Sequence, residues 1–145
     1  MKTLTFKKTL CSAAGTLMLA TTMAHAATSL PPVQRLGNIN YVTGGIGQAE
    51  SSAIEHASHN WPLTLEFAVK DKQRADFVAG VTVDVHDAGK HVKLNLKSDG
   101  PFVLAKLPPG RYLVDATLDG KTLHEQVVVA SGHPAKAIFE WPAGT

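Results

Sequence analysis

A glycine-rich segment at residues 41–50 has the residue types of a recognition loop. Three glycines occupy four positions, and a pattern of helical spacing follows them. Glycine loses more conformational entropy on folding than any other residue, so some structural or functional requirement must keep three of them. A turn needs one or two, and a third permits the close approach of a backbone or a ligand. We therefore predict that a binding site would use these residues: Tyr41, Thr43, Gly44, Gly45, Gly47 and Glu50.

The same loop has two other interpretations. Its backbone N–H groups, which precede a helix, could hold an anion. The loop lacks the Lys-Ser or Lys-Thr ending of a P-loop and the full dinucleotide-binding fingerprint. A tight turn that packs a strand against a helix is the simpler interpretation, and Glu50 would then fold back on the loop as a helix-start carboxylate.

Histidine pairs are the next candidates for chemistry. His86 and His91 would face each other across a hairpin, and paired imidazoles suit copper or zinc. His56 and His59 lie three residues apart near the end of the predicted helix. Two ligands alone make a weak site. We therefore predict no metal and no cofactor, and His86 and His91 remain the weak candidates.

In an Asp–His pair, the carboxylate could orient the imidazole to act as a catalytic base. Asp115 and His124 are predicted to be neighbours on adjacent strands. A nucleophile would have to complete the arrangement, and neither Ser98 nor Ser131 lies in the context of a nucleophile elbow. We therefore predict no catalytic residues and no enzyme activity.

The first 26 residues have the three parts of a secretory signal. A basic start precedes an uncharged, mostly apolar or small-residue run at residues 10–23, and Ala24-His25-Ala26 fits an A-x-A cleavage site. We predict cleavage after Ala26 and a periplasmic or secreted protein. Cleavage would remove the only Cys and three of the 14 basic residues, while all 12 acidic residues stay. The resulting net charge near −1 indicates neither nucleic acid nor an anionic membrane as a partner.

The remaining chain has the composition of one globular domain, with 44% hydrophobic and 18% charged residues. Residues 27–38 are predicted to be an extended leader, and residues 39–62 a strand, the glycine-rich turn and a short helix near 49–58. Residues 63–142 alternate apolar and polar positions. The pattern predicts seven short strands with turns about every 8–12 residues. The predicted fold is an all-β, seven-stranded antiparallel sandwich with one short N-terminal helix, and residues 39–142 form one folded unit.

Two hairpin registers can be predicted. A four-residue loop at residues 87–90 would set Val85 opposite Val92 and Asp84 opposite Lys93. A three-residue loop is rejected because it would turn His91 and Lys93 into the core.

The second hairpin has a stronger turn signal. Asp119-Gly120 predicts a two-residue type I′ turn that sets Asp115 opposite His124. Glu125 would then lie on the apolar face beside Val114, a conflict that a bulge or an edge position would relieve.

The sequence of this second hairpin also carries a family resemblance. Leu107-Pro108-Pro109-Gly110-Arg111-Tyr112, followed by Asp119-Gly120-Lys121 and Val127-Val128-Val129, resembles the carboxypeptidase regulatory-like domain, a transthyretin-like (prealbumin-like) sandwich. In that family a Leu-Pro-x-Gly-x-Tyr corner opens a strand whose neighbour ends in a Val-x-Val pair. Residues 41–50 resemble a signature of small secreted proteins of Gram-negative bacteria that carry this sandwich. The resemblance implies a transthyretin-like fold but indicates almost nothing about the chemical activity of the protein.

The function that follows is a periplasmic binding or accessory module whose partner is an unidentified periplasmic protein or small ligand. Two alternatives stay open. The transthyretin fold also occurs in hydroxyisourate hydrolases, but these end in Tyr-Arg-Gly-Ser, whereas this chain ends in Phe139-Glu140-Trp141-Pro142-Ala143-Gly144-Thr145. A metal-binding protein that uses His86 and His91 is the other alternative.

Overall fold

The computed structural model describes residues 29–145, which are mostly β-strand with one helix. The predicted signal peptide, residues 1–26, lies outside the described residues, as do the first two residues of the predicted leader. In chain order the elements are β1 (Gln34–Leu36), β2 (Ile39–Gly44), α1 (Gln48–Ser58), β3 (Leu63–Asp71), β4 (Arg74–Phe77), β5 (Thr82–Asp87), β6 (Val92–Lys97), β7 (Phe102–Ala105), β8 (Gly110–Leu118), β9 (Lys121–Val129) and β10 (Ala135–Trp141).

These strands form two sheets. The first has the order β1-β2-β7-β3-β10, with β4 paired to the other end of β3, and the second has the order β6-β5-β8-β9. The prediction of an all-β chain with one short helix is confirmed. The expectation of a wholly antiparallel fold is wrong, because β10 runs parallel to β3.

The described residues form ten strands, not the predicted seven. Strand β2 was predicted separately from the seven. The two strands that were not predicted are β1, which lies in the predicted leader, and β4, which lies in a charged segment between two predicted strands. Every residue of both strands is exposed. Backbone pairing to β2 and β3 holds them in place, so neither strand shows the alternation of a half-buried strand.

The two sheets share one hydrophobic core. Fully buried side chains from both sheets meet there, including Leu65, Phe67, Val83, Leu94 and Val114. Helix α1 covers the other face of the first sheet, where Ile54 packs in a second cluster. The helix therefore forms a third layer over β2 and β7, while the outer face of β10 stays exposed. Within residues 29–145, no helix combines the length and the apolar character that a membrane-spanning helix needs.

The β5–β6 hairpin differs from its predicted register. Val85 lies opposite Leu94, and Asp84 lies opposite Asn95 rather than Lys93. Asp87 and His91 close a three-residue loop, since the Asp87 N–H donates to the His91 carbonyl at 3.0 Å.

A bulge makes this three-residue loop compatible with the core. The pairing shifts by one residue between Val85 and His86, so β6 carries one extra residue there. The extra residue restores the alternation, and Lys93 stays exposed while Leu94 is buried. Val92, predicted to face Val85, lies opposite His86 and is 58% exposed.

The β8–β9 hairpin has its predicted register. Asp119 and Gly120 both have positive φ, at 46° and 79°, as a type I′ turn requires. Glu125 lies opposite Val114 and is exposed. Strand β9 is the edge of the second sheet, so the edge position relieves the expected conflict.

Candidate functional site

Residues 41–50 span the end of β2, a loop and the first turn of α1. The Tyr41 hydroxyl donates to Gln34 Oε1 at 2.9 Å, which ties β2 to β1. Thr43 is buried, and its Oγ1 accepts the Asp99 N–H at 2.9 Å. Both side chains therefore hold this segment against neighbouring parts of the chain.

The glycines of this loop allow close packing within the protein. A Cβ on Gly44 would lie 2.9 Å from Pro31 Cγ, and one on Gly45 would lie 2.5 Å from Phe102 Cδ2. Gly47 has φ +84° and nothing within 4 Å of its Cβ position, so its backbone conformation alone favours glycine there.

The Glu50 carboxylate folds back on the loop. Its Oε1 accepts the Gly45 N–H at 2.6 Å, while the Ser51 hydroxyl donates to the Gly45 carbonyl at 2.6 Å. This geometry is that of the helix-start carboxylate. A second anion at this helix terminus would meet the Glu50 charge. The use of residues 41–50 in binding stays a prediction.

An exposed apolar surface remains on this loop. Ile46 is 63% exposed and Phe77 is 53% exposed, and both line a shallow groove of about 590 Å³ with Gly45 and Gly47. We call this surface the glycine-loop groove.

The predicted histidine pair does not form. The His91 Nδ1 lies 3.2 Å from Asp87 Oδ1, whereas the His86 Nε2 lies 3.9 Å from Asp115 Oδ2. The two rings turn to different carboxylates because the hairpin register sets Val92 opposite His86. In the part of the chain that the structure describes, no group of three or more His, Cys, Asp and Glu side chains is placed to hold a metal ion.

The predicted Asp115–His124 pair is present. The two residues face each other on β8 and β9, and His124 Nδ1 lies 2.6 Å from Asp115 Oδ1. Asp84 lies opposite Asp115 on the other side, so two carboxylates are cross-strand neighbours. The Asn95 amide donates to Asp84. The His86 Nε2 lies 3.9 Å from Asp115 Oδ2, the carboxylate oxygen that His124 does not contact. These polar contacts offset the like-charge pair on the outer face of the second sheet.

A larger cleft lies between the open edges of the two sheets. Its volume is about 800 Å³. Three segments form its walls: residues 36–39 at the β1–β2 turn, residues 87–89 and 92–95 of the β5–β6 hairpin, and residues 108–112 at the start of β8. We call it the corner cleft.

Tyr112 fixes one wall of the corner cleft. Its ring is buried, and its hydroxyl donates to the Pro108 carbonyl at 2.6 Å. Burial raises the pKa of the Tyr112 hydroxyl, so the hydroxyl keeps its proton and continues to donate. This hydrogen bond joins residues four apart in the sequence and explains why a tyrosine lies two positions after Pro108-Pro109-Gly110.

In the corner cleft, the Asp87 carboxylate has basic partners, whereas the Arg111 guanidinium has no ion-pair partner among residues 29–145. The backbone N–H of His91 donates to Asp87 at 2.9 Å, and this bond, together with Lys93 and the His91 ring, lowers the pKa of that carboxyl from 3.8 to about 2. Lys93 Nζ lies 3.2 Å from Asp87 Oδ2. Arg111 is exposed and forms no ion pair with any residue from 29 to 145. The cleft therefore offers one unneutralised guanidinium.

Sequence reasoning missed the corner cleft. The Leu-Pro-Pro-Gly-Arg-Tyr sequence was a signal available for it, but that motif indicates fold rather than chemistry. The leader residues that complete the cleft, Leu36 and Gly37, carry no recognisable pattern.

Comparison of the sequence with known proteins identified no relative. No protein-family model matches the chain, and no curated protein matches it.

Proposed function

We propose that the protein is a periplasmic or secreted binding or accessory module, and not an enzyme. Three features support this function. The first 26 residues have the pattern of a secretory signal, two sheets share one core, and residues 107–129 resemble the carboxypeptidase regulatory-like, transthyretin-like sandwich. The Asp115–His124 pair lies on an open sheet face rather than in a pocket with a nucleophile, which favours binding over catalysis.

The observation that carries the proposal is the corner cleft. Strand β6, an edge of the second sheet, forms one wall, and the β1–β2 turn at the edge of the first sheet forms another. An edge strand has backbone N–H and C=O groups without a ladder partner, and an extended peptide can supply that partner. Leu36 and Val92 offer exposed apolar side chains at the same place.

Arg111 specifies the chemistry of the ligand. A guanidinium without an ion-pair partner can bind a carboxylate through two parallel hydrogen bonds. Asp87 already has Lys93 and His91, so it competes weakly for Arg111. We therefore propose that the cleft binds an extended peptide segment of a partner protein, with an apolar side chain beside Val92 and a carboxylate on Arg111.

A peptide array tests this function. Extended peptides that alternate apolar and acidic residues are compared with copies in which Asp and Glu become Asn and Gln. The purified protein should capture the acidic set, and amide replacement should weaken binding roughly 10- to 100-fold, the range for a charge-assisted hydrogen bond. Arg111→Ala should show the same loss.

Arg74 supplies the matched control. It is an exposed arginine on β4, outside the corner cleft, so Arg74→Ala should bind as the unmodified protein does. If no peptide is captured, or if Arg111→Ala binds as well as Arg74→Ala, the cleft is not the binding site.

The glycine-loop groove is a second candidate surface for the same function. The exposed Ile46 and Phe77 side chains favour it. Ile46→Ser would abolish capture there without unfolding the chain, because the side chain is mostly in solvent. Capture that survives Arg111→Ala and fails with Ile46→Ser would assign binding to residues 41–50.

A further inference from the structure

Strand β10 leaves one edge of the first sheet open. Among the described strands it pairs only with β3. Strand β9 runs beside it but belongs to the second sheet, and a groove of about 440 Å³ lies between the two strands. The strand contains neither proline nor glycine, so each of its residues has a backbone N–H and C=O for pairing.

The backbone groups that face this edge can be assigned. The Ala135 N–H donates to the Pro62 carbonyl at 2.9 Å. In a parallel pair every second residue of a strand bonds to the partner, so the odd-numbered residues of β10 bond to β3. The N–H and C=O groups of Lys136, Ile138 and Glu140 therefore point towards the open edge.

The side chains of the same three residues have a self-complementary order. All three lie on the exposed outer face of the first sheet, with an apolar residue between a cation and an anion. Lys136 Nζ already lies 2.5 Å from Glu66 Oε2 of its own chain, but half of the Lys136 side chain is exposed, so the ammonium can also contact a second carboxylate. We propose that β10 pairs antiparallel with β10 of a second copy of this chain, about a two-fold axis at Ile138. Lys136 then lies opposite the partner's Glu140, and each Ile138 lies beside its counterpart.

One register satisfies both requirements. Pairing about Ile138 places every free backbone group of these three residues in a hydrogen-bonded pair, and it also matches both charges. A register shifted by two residues would keep the hydrogen bonds but set Lys136 opposite the partner's Ile138. The charge pattern therefore selects the symmetric register. One strand pair forms a small interface, so the dimer is weak and depends on protein concentration.

Cysteine cross-linking tests the register. In a Cys11→Ser chain, Ile138→Cys supplies the only thiol. A hydrogen-bonded antiparallel pair has Cα atoms about 5.5 Å apart, within the range of a disulfide. Mild oxidation should therefore produce a covalent dimer. Because Ile138 is 53% exposed, the variant should keep the circular dichroism spectrum of the unmodified protein.

Two matched variants control for chance collision. Lys136→Cys alone should not cross-link, because its counterpart lies four residues away along the strand, about 13 Å. A mixture of Lys136→Cys and Glu140→Cys chains should cross-link to each other. Equal cross-linking of Ile138→Cys and Lys136→Cys, or no cross-linking of Ile138→Cys, overturns the proposal.

Charge reversal gives an independent readout. In sedimentation over a concentration series, Glu140→Lys should lower the dimer association constant about tenfold, because it sets Lys136 opposite a lysine. Lys136→Glu also loses the ion pair with Glu66 of its own chain, so its effect alone does not identify the interface. Recovery of dimerisation in an equimolar mixture of the two variants is the readout that belongs to the strand pair. A monomer at every concentration of the unmodified protein, or a mixture that stays monomeric, contradicts the pairing. None of these residues lines the corner cleft, so peptide capture should be unchanged.

Discussion

Leu94 lies on β6 in the middle of the shared core, and its replacement by Ala tests the β5–β6 register. Its side chain is fully buried opposite Val85. Truncation of a buried leucine lowers the free energy of unfolding by about 2–5 kcal/mol. For a domain of this size, a loss of about 3 kcal/mol lowers the melting temperature by roughly 9–18 °C. Urea unfolding followed by far-ultraviolet circular dichroism would measure the change.

Val92 is the matched control on the same strand. Since Val92 is 58% exposed, Val92→Ala should change the free energy of unfolding by less than about 0.5 kcal/mol. Equal losses for Leu94→Ala and Val92→Ala would show that both side chains are buried, with Val92 opposite Val85. That result would refute the bulge and the three-residue loop.

Three further changes probe the loop, the hairpin and the corner. Gly45→Ala should lower the free energy of unfolding by about 1–3 kcal/mol in urea, because its Cβ would lie 2.5 Å from Phe102 at φ +100°. Asp87 has a folded pKa of about 2 against 3.8, so it stabilises the fold above pH 3.8 and loses this effect as the pH falls towards 2. Melting temperatures measured across that window should therefore fall less for Asp87→Asn. Tyr112→Phe should lose about 0.5–1.5 kcal/mol in urea through its bond to the Pro108 carbonyl.

Each of these changes has a control or a contradictory outcome. Gly132→Ala shares a positive φ but meets no atom within 4 Å, so a loss equal to that of Gly45→Ala would exclude the Phe102 contact as the cause. A parallel acid dependence for Asp87→Asn and the unmodified protein would contradict the lowered pKa. An unchanged urea midpoint for Tyr112→Phe would show that the corner does not depend on the hydroxyl.

Strands that bury one face were predictable from the sequence. The β8–β9 register follows from Asp119-Gly120, since a two-residue turn with two positive φ angles allows one pairing. The β5–β6 register did not follow, because the choice depends on side-chain hydrogen bonds of Asp87 to the loop backbone. Registers that differ by two residues keep the same alternation of apolar and polar side chains, so alternation alone does not choose between them. A bulge allows one more register with the same buried face.

The candidate sites were less predictable than the fold. The glycines at residues 44–45 indicated a close approach correctly, but the approaching atoms belong to the chain itself. The corner cleft joins a leader, a hairpin loop and a proline-rich corner, which are far apart in sequence. Its walls meet only after two sheets have packed, so no local pattern indicates it.

Mapping of the bound peptide by nuclear magnetic resonance would show whether an acidic peptide binds in the corner cleft. The acidic peptide that the array selects is added to ¹⁵N-labelled protein, and amide shifts are followed. The largest shifts should fall on residues 92–95, residues 36–39 and Arg111, with intermolecular contacts from the peptide backbone to β6. Shifts confined to residues 44–51, or no shifts at a peptide concentration that saturates the array, would contradict binding in the corner cleft.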